Sequence, residues 1–224
     1  MKIVLLPGMD GTGKLFAPLM PFLDKESTTI ISYPTEGKQD YGTLVEYVKT
    51  KLPNEDFMLV VESFSGPIGA ILAKHKILNL KAIVFVATFI STPRQSLLKT
   101  MRRLPIKLFS KMPFASIIYR LFMFGSHANE SVVAQFQKVL AQLPSKTLKQ
   151  RMLAIESLSP ISGSLEIPAV YIRPEEDRLV PYSKCMEFNA LFNNISVKTI
   201  NGPHFIIQAN PRECAEVINS GPHF

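Results

Sequence analysis

One segment determines the predicted architecture: Phe57-Met58-Leu59-Val60-Val61-Glu62-Ser63-Phe64-Ser65-Gly66-Pro67. The run from Phe57 to Val61 is short and apolar, as in a buried strand, and a helix follows near Ser65 to His75. Such a sharp strand-to-helix turn pushes a hydroxyl out of the backbone, which makes Ser63 a candidate nucleophile. Ser65 is the rival, although at a helix start its hydroxyl could merely cap backbone N–H groups.

Outside this segment, strand signals alternate with helix signals along the chain. Continuous apolar strands separated by helices indicate a mostly parallel sheet of about six strands with helices on both faces, an α/β fold. The predicted strands are Lys2 to Pro7, Thr28 to Tyr33, Phe57 to Val61, Lys81 to Thr88, Ala169 to Arg173 and Ser196 to Ile200. The predicted helices are Lys14 to Leu23, Tyr41 to Leu52, Ser65 to His75, Tyr182 to Phe192 and Pro211 to Asn219.

Residues 89–166 interrupt this alternation. The segment is helical in spacing, rich in Met, Phe, Lys and Arg, and contains several prolines but no strand signal. We predict a helical cap inserted between the fourth and fifth strands, with residues 1–88 and 167–224 forming the core domain. Ligands of such sheets bind at the carboxyl edge, which the cap would cover.

Composition excludes several classes of protein. The chain has 224 residues, of which 46% are hydrophobic and 19% charged, so it is not disordered. Cys185 and Cys214 form no C-x-x-C pair and cannot build a disulfide framework. The apolar stretch from Leu104 to Phe124 is interrupted by charges and prolines, unlike a membrane-spanning helix. The first residues run directly into a strand without a cleavable signal peptide, so we expect a cytoplasmic protein.

The positive charge is concentrated in the predicted cap. The net charge of the chain is +7, yet residues 89–165 hold 11 basic and two acidic residues. This segment therefore carries +9, and the remainder carries −2. Such a cluster attracts an anionic partner, either nucleic acid, anionic lipid or an acidic protein, or is simply a solvated surface. The candidate partner-binding residues are Arg94, Lys99, Arg102, Arg103, Lys107 and Lys111.

A serine nucleophile needs a base and an acid. His204 follows the sixth strand and would lie at the same sheet edge as Ser63, whereas His75, His127 and His223 have no such placement. Asp177 follows the fifth strand and is the favoured acid, with Glu175 and Glu176 as competitors. Backbone N–H groups of Phe64 and of Met9, in the glycine-rich loop after the first strand, would form an oxyanion hole.

Together, these candidate residues and their order along the chain resemble an α/β-hydrolase over the whole length of the sequence. The matching segments are Leu5 to Gly13, Glu62 to Pro67, Glu176 to Pro181 and Gly202 to Phe205. The resemblance implies Ser63 as nucleophile, His204 as base, Asp177 as acid, and neither metal nor cofactor. Two positions depart from the usual pattern: Pro7 replaces a common histidine, and Val61 replaces a small residue.

Among these hydrolases, the chain is similar to short bacterial carboxylesterases with a helical cap. Esterases that remove the methyl ester from pimeloyl-[acyl-carrier protein] in biotin synthesis share the fold, the triad and a basic cap. The resemblance thus implies a small acyl-ester substrate and an acidic acyl-carrier protein as partner, with no nucleic acid.

Other functions are compatible with the same residues. The basic, apolar cap would also suit a lipid-surface esterase, thioesterase or acyltransferase in peripheral contact with an anionic membrane. A different class of function is a non-catalytic binding module. The segment Gly8 to Leu15 matches the nucleotide-binding pattern G-x-x-x-x-G-K, but Leu15 replaces the Ser or Thr that would hold Mg²⁺.

Overall fold

A computed structural model describes residues 1–96, 98, 99, 124 and 130–222. The strands are β1 Lys2–Leu6, β2 Thr28–Ile30, β3 Phe57–Glu62, β4 Leu80–Val86, β5 Ala169–Pro174 and β6 Ile195–Ile200. The helices are α1 Tyr41–Lys49, α2 Gly66–Lys74, α3 Glu130–Gln142, α4 Ser145–Glu156, α5 Tyr182–Leu191, α6 Ile206–Ala209 and α7 Pro211–Ser220.

The six strands form one parallel sheet in the order β2-β1-β3-β4-β5-β6. The prediction of a six-stranded parallel sheet covered by helices is confirmed. Every residue of β3 is buried, which explains why that strand has no polar alternation.

One predicted helix is wrong. Residues 14–23 form two short 3₁₀ turns, Lys14–Phe16 and Met20–Phe22, instead of a continuous helix. Pro18 and Pro21 lack the N–H that an α-helix needs and break its hydrogen bonding. The strand predicted to reach Tyr33 also ends earlier, at Ile30.

Alternate residues of the central strands enter two separate cores. Leu59 and Phe85 pack with α1, α2 and α5 on one face, whereas Val60 and Val84 pack with α6 and α7 on the other. A third cluster joins α3 and α4 to Leu15 and Phe124. The first two cores support the sheet, and the third lies above its carboxyl edge.

The strand order reverses at β1, because the chain leaves β1 toward β2 and leaves β3 toward β4 on the other side. In open parallel sheets, ligands bind in the crevice at such a switch point. The loop after β1 and the turn after β3 therefore meet at this crevice, and these two segments hold Met9 and Ser63.

The segment predicted as a cap contains α3 and α4, and its described residues contribute no strand to the sheet. Arg94 and Lys99 are exposed, whereas Arg102, Arg103, Lys107 and Lys111 lie outside the described residues, as do His127 and His223. Arg151 is one of the 11 basic residues in 89–165, but its side chain is fully buried, so its charge does not contribute to an exposed basic surface. Among the helices of the described ranges, none combines the length and hydrophobicity required to cross a membrane.

Candidate active site

Ser63 occupies a strained turn at the end of β3. Its φ is 48°, a left-handed conformation that non-glycine residues rarely adopt. The 3₁₀ turn Ser63–Ser65 follows, and the Thr88 hydroxyl donates a hydrogen bond to the Ser63 carbonyl. A Cβ at Gly66 would lie 2.0 Å from Thr88 Oγ1, so the turn fits only because residue 66 is a glycine. The turn presents the Ser63 hydroxyl at the carboxyl edge of the sheet.

The structure explains why Val61 is tolerated where a small residue is usual. Val61 faces Gly69 on α2, and a Cβ at Gly69 would lie 3.0 Å from Val61 Cγ1. The small residue that lets the strand and the helix approach closely is therefore Gly69 on the helix, rather than the residue at position 61 on the strand.

The structure brings Ser63, His204 and Asp177 together. Ser63 Oγ lies 2.9 Å from His204 Nε2, and His204 Nδ1 lies 2.8 Å from Asp177 Oδ2. The other carboxylate oxygen of Asp177 accepts the backbone N–H groups of Leu179 at 2.9 Å and Val180 at 2.8 Å. These two bonds fix the carboxylate, which in turn orients the imidazole toward the Ser63 hydroxyl.

The environment of His204 favours its protonated form. Burial by itself would lower the pKa of His204, but the charge and hydrogen bond of Asp177, aided by Glu62, outweigh it and raise the pKa. An imidazole in this setting can accept a proton from Ser63 and remain stable as an imidazolium. Glu175 and Glu176, the competing carboxylates, are exposed to solvent.

Ser65 lies close to this group but has a different environment. Its hydroxyl is fully buried, donates a hydrogen bond to the Pro7 carbonyl and also bonds the Tyr33 hydroxyl. The side chain therefore ties the loop after β1 to the turn after β3. It does not point into the crevice and is a structural link between the two segments.

Met9 and Phe64, the expected oxyanion donors, both border the crevice. Phe64 is in the first turn that begins at Ser63, where backbone N–H groups have no partner within the helix. The loop of Met9 is held by a hydrogen bond of 3.0 Å from Gly11 N to the Gly8 carbonyl. In the described part of the chain, no residue accepts a hydrogen bond from the Met9 N–H.

Glu62 is a site residue that the sequence interpretation missed. It is buried beside Ser63, accepts Gln208 Nε2 at 3.0 Å, and also takes a hydrogen bond from the Gly8 backbone. Burial raises its pKa to about 7, with neighbouring Asp10 adding to the rise. The sequence feature that could have identified Glu62 is its position as the one acidic residue at the end of an otherwise apolar strand.

Ser63 lines two apolar pockets, which we call the first and the second lobe of the site. The first lobe, of about 120 Å³, is bounded by Phe136 and Leu140 of α3 together with Glu62 and Asp10. The second lobe, of about 80 Å³, is bounded by Phe89, Leu98 and the exposed Arg94. Met9, Ser63, Met152, Leu179 and His204 border both lobes. An ester lying across Ser63 would thus place its acyl and alcohol parts in different lobes.

The glycine-rich loop is poorly arranged to hold phosphate. The Asp10 carboxylate accepts the Thr12 N–H at 2.8 Å, and the Gly11 N–H is bonded to the loop itself. Lys14 reaches Gln142 on α3, at 3.0 Å from Nζ to Oε1. A buried carboxylate and internally paired N–H groups are unfavourable for binding a nucleotide phosphate.

Comparison with solved structures identifies the fold. An esterase from Exiguobacterium antarcticum superposes with a TM-score of 0.78 at 13% identity, over 98% of this chain and 91% of that chain. An enol-lactonase from Burkholderia xenovorans gives 0.79 at 13% identity, over 97% and 89%. A lipase-esterase related protein from Clostridium acetobutylicum gives 0.78 at 14% identity, over 98% and 93%. No protein-family model and no curated sequence matches the chain. The chain has the α/β-hydrolase fold.

Proposed function

We propose that this chain is a serine hydrolase of carboxylic esters. The observation that carries the proposal is the continuous hydrogen-bonded path from Ser63 Oγ through the His204 ring to Asp177. The strained backbone of Ser63 and the two apolar lobes that it lines support the same activity. Two of its structural neighbours are named as esterases and a third as an enol-lactonase.

The chemistry follows from the atoms present. His204 Nε2 takes the Ser63 proton while Ser63 Oγ attacks the ester carbonyl, and the N–H groups of Met9 and Phe64 hold the oxyanion. The intermediate collapses, His204 gives its proton to the leaving alcohol, and Ser63 keeps the acyl group. Water then attacks this acyl-enzyme with His204 again as base, which releases the acid and restores Ser63.

A fluorophosphonate probe tests this proposal directly. We expect the probe to label the wild-type protein at Ser63 and to leave folded Ser63→Ala and His204→Ala unlabelled. Hydrolysis of short p-nitrophenyl esters should disappear in the same two variants. A wild-type protein that is folded but neither labels nor hydrolyses any ester would support a non-catalytic binding module instead.

As a more specific substrate, we propose an acyl ester carried by an acidic carrier protein, with the methyl ester of a pimeloyl group as the leading candidate. Supporting this, Arg94 borders the second lobe and Lys99 is exposed close to it in sequence. The cap also contains Arg102 and Arg103. A carrier that presents its acyl chain at this lobe would meet these positive charges.

Two experiments address the carrier. Complementation of a biotin auxotroph that lacks its methyl esterase should succeed with the wild-type gene and fail with Ser63→Ala. Replacing Lys99, Arg102 and Arg103 together by Glu should reduce kcat/KM for the carrier-linked ester far more than for a small soluble ester. The matched control replaces three exposed lysines outside the cap, Lys25, Lys38 and Lys51, together by Glu. Stimulation by anionic vesicles instead of carrier protein would favour a lipid-surface esterase.

A further inference from the structure

Arg151, in the middle of α4, is a charged side chain with no solvent exposure. A guanidinium keeps its charge in proteins and presents N–H donors on a rigid, planar fork. Burying it is unfavourable unless these donors find acceptors with good geometry. The contacts that compensate its burial therefore show what this side chain holds in place.

The guanidinium donates to three acceptors in two loops of the core domain. Nη1 lies 2.9 Å from the Met9 carbonyl oxygen, Nη2 lies 3.0 Å from the Pro34 carbonyl oxygen, and Nε lies 2.9 Å from Gln39 Oε1. Its Cζ also lies 5.6 Å from the centre of the Tyr33 ring. The fork thus joins the loop after β1 to the loop after β2.

The contact with Met9 reaches the expected oxyanion hole. The Met9 N–H shares a peptide plane with the Gly8 carbonyl, and the Met9 carbonyl lies in the next plane. Because the Gly11 N–H holds the first plane and Arg151 holds the second, the two bonds together limit rotation about the Met9 Cα. The neighbouring Gly8 and Pro7 carbonyls are held by the Gly11 N–H and by Ser65. No residue in the described ranges accepts the Met9 N–H, so this donor can serve a substrate.

The loop is built around the guanidinium. Gly11 has a φ of 70°, and a Cβ at this position would lie 2.2 Å from Arg151 Nη1. A side chain at residue 11 would thus displace the fork. Leu148 and Met152 of the same helix border the first lobe, so α4 contacts both the substrate site and the loop that contains Met9.

We propose that Arg151 is a positioning residue, supplied by the cap, that fixes the loop at Met9 so that the Met9 N–H is held as an oxyanion donor. This inference rests on the proposed function. It differs from a purely structural role because it requires that loss of the fork weaken binding of the transition state more than binding of the substrate.

The test compares Arg151→Lys and Arg151→Met with Thr147→Val. Thr147 lies on the same helix, is buried, and donates its hydrogen bond to the Thr35 carbonyl in the loop after β2. Removing one oxyanion donor typically reduces kcat by about 10²–10³. In both Arg151 variants we expect kcat to fall by at least about tenfold and by no more than about 10³-fold. The KM should stay within about threefold of the wild-type value. Thr147→Val should keep the wild-type kcat.

Two further measurements separate positioning from general loosening. A trifluoromethyl ketone forms an oxyanion adduct with the nucleophilic serine, so its affinity should fall in parallel with kcat/KM in the Arg151 variants. Methylguanidinium at millimolar concentration should restore part of kcat to Arg151→Ala and leave Thr147→Val unchanged.

Folded Arg151→Lys with wild-type kcat would overturn the inference, as would an equal loss of kcat in Thr147→Val and the Arg151 variants. Arg151→Lys keeps the charge and decides the question if Arg151→Met does not fold. If wild-type Ser63 fails to label with the fluorophosphonate, the proposed function is wrong and this inference fails with it. Ester hydrolysis that depends on Ser63 but not on Arg151 would refute the inference alone.

Discussion

Asp177→Asn should inactivate the protein by reversing one hydrogen bond. In the wild type, one carboxylate oxygen of Asp177 accepts the N–H groups of Leu179 and Val180, and the other accepts His204 Nδ1–H. The asparagine carbonyl must take the position of the first oxygen, because an amide NH₂ cannot face two N–H donors. The NH₂ group then faces His204 Nδ1 and can only donate to it.

This reversal places the His204 proton on the wrong nitrogen. Once Nδ1 accepts, the neutral ring carries its proton on Nε2, 2.9 Å from Ser63 Oγ, and cannot take the serine proton. A loss of about 10⁴ in kcat is the usual size of this effect in serine hydrolases. Because the bonds to Leu179 and Val180 are kept, the free energy of unfolding should change by about 1 kcal/mol or less.

The pH profile provides an independent check. Asp177 helps to raise the pKa of His204, and the base must be neutral to act, so wild-type activity should fall as the pH drops below this raised value. In Asp177→Asn that acidic limb should move to lower pH. The assay is kcat/KM for a p-nitrophenyl ester across the pH range, together with urea denaturation. Glu175→Gln and Glu176→Gln, which change exposed neighbouring carboxylates, should keep wild-type activity. Asp177→Asn within tenfold of wild type would refute the assignment of Asp177.

Three other variants test separate features of the site. Ser65→Ala should still label with fluorophosphonate at Ser63. Its unfolding free energy, measured in urea, should fall by about 1–3 kcal/mol because the Pro7 carbonyl loses its hydrogen-bond donor. Loss of labelling in a folded Ser65→Ala variant would instead support Ser65 as the nucleophile. Burial raises the pKa of Glu62 from 4.5 to about 7, so the folded state binds more protons between these values, and the unfolding free energy should decline as the pH rises through that interval. Urea denaturation across this range should show a smaller decline in Glu62→Gln than in the wild type, with the remainder due to His204, whose pKa is also raised. An unchanged slope would contradict this prediction. Gly69→Ala should lower the unfolding free energy by about 1–3 kcal/mol because the new methyl group would contact Val61. The double variant Val61→Ala/Gly69→Ala should lose less unfolding free energy than the sum of the two single variants. Additive losses would contradict the idea that Gly69 makes room for Val61.

The parallel sheet and most of its helices could be predicted from sequence because their signals are local. Apolar runs such as Phe57 to Val61 become strands wherever both faces are covered, and the structure moves their ends by only a few residues. The failure at Lys14 to Leu23 has a local cause as well, since Pro18 and Pro21 are incompatible with a continuous helix.

The placement of Ser63, Asp177 and His204 at one edge could also be predicted, since each follows a strand of a parallel sheet. What could not be predicted depends on contacts between distant segments. Nothing near Arg151 in sequence shows that its guanidinium reaches Met9, and a basic residue in a basic segment is ordinarily solvated. Likewise, the compensation of Val61 by Gly69 requires knowing how α2 packs on β3.

The left-handed backbone at Ser63 means that the chain is not as stable as its fold allows. A non-glycine residue in this conformation is disfavoured by about 1–2 kcal/mol, which glycine would avoid. Selection for thermal stability alone would therefore favour glycine at position 63, which removes the proposed nucleophile. Stabilised variants selected without an activity screen should be checked at this codon first.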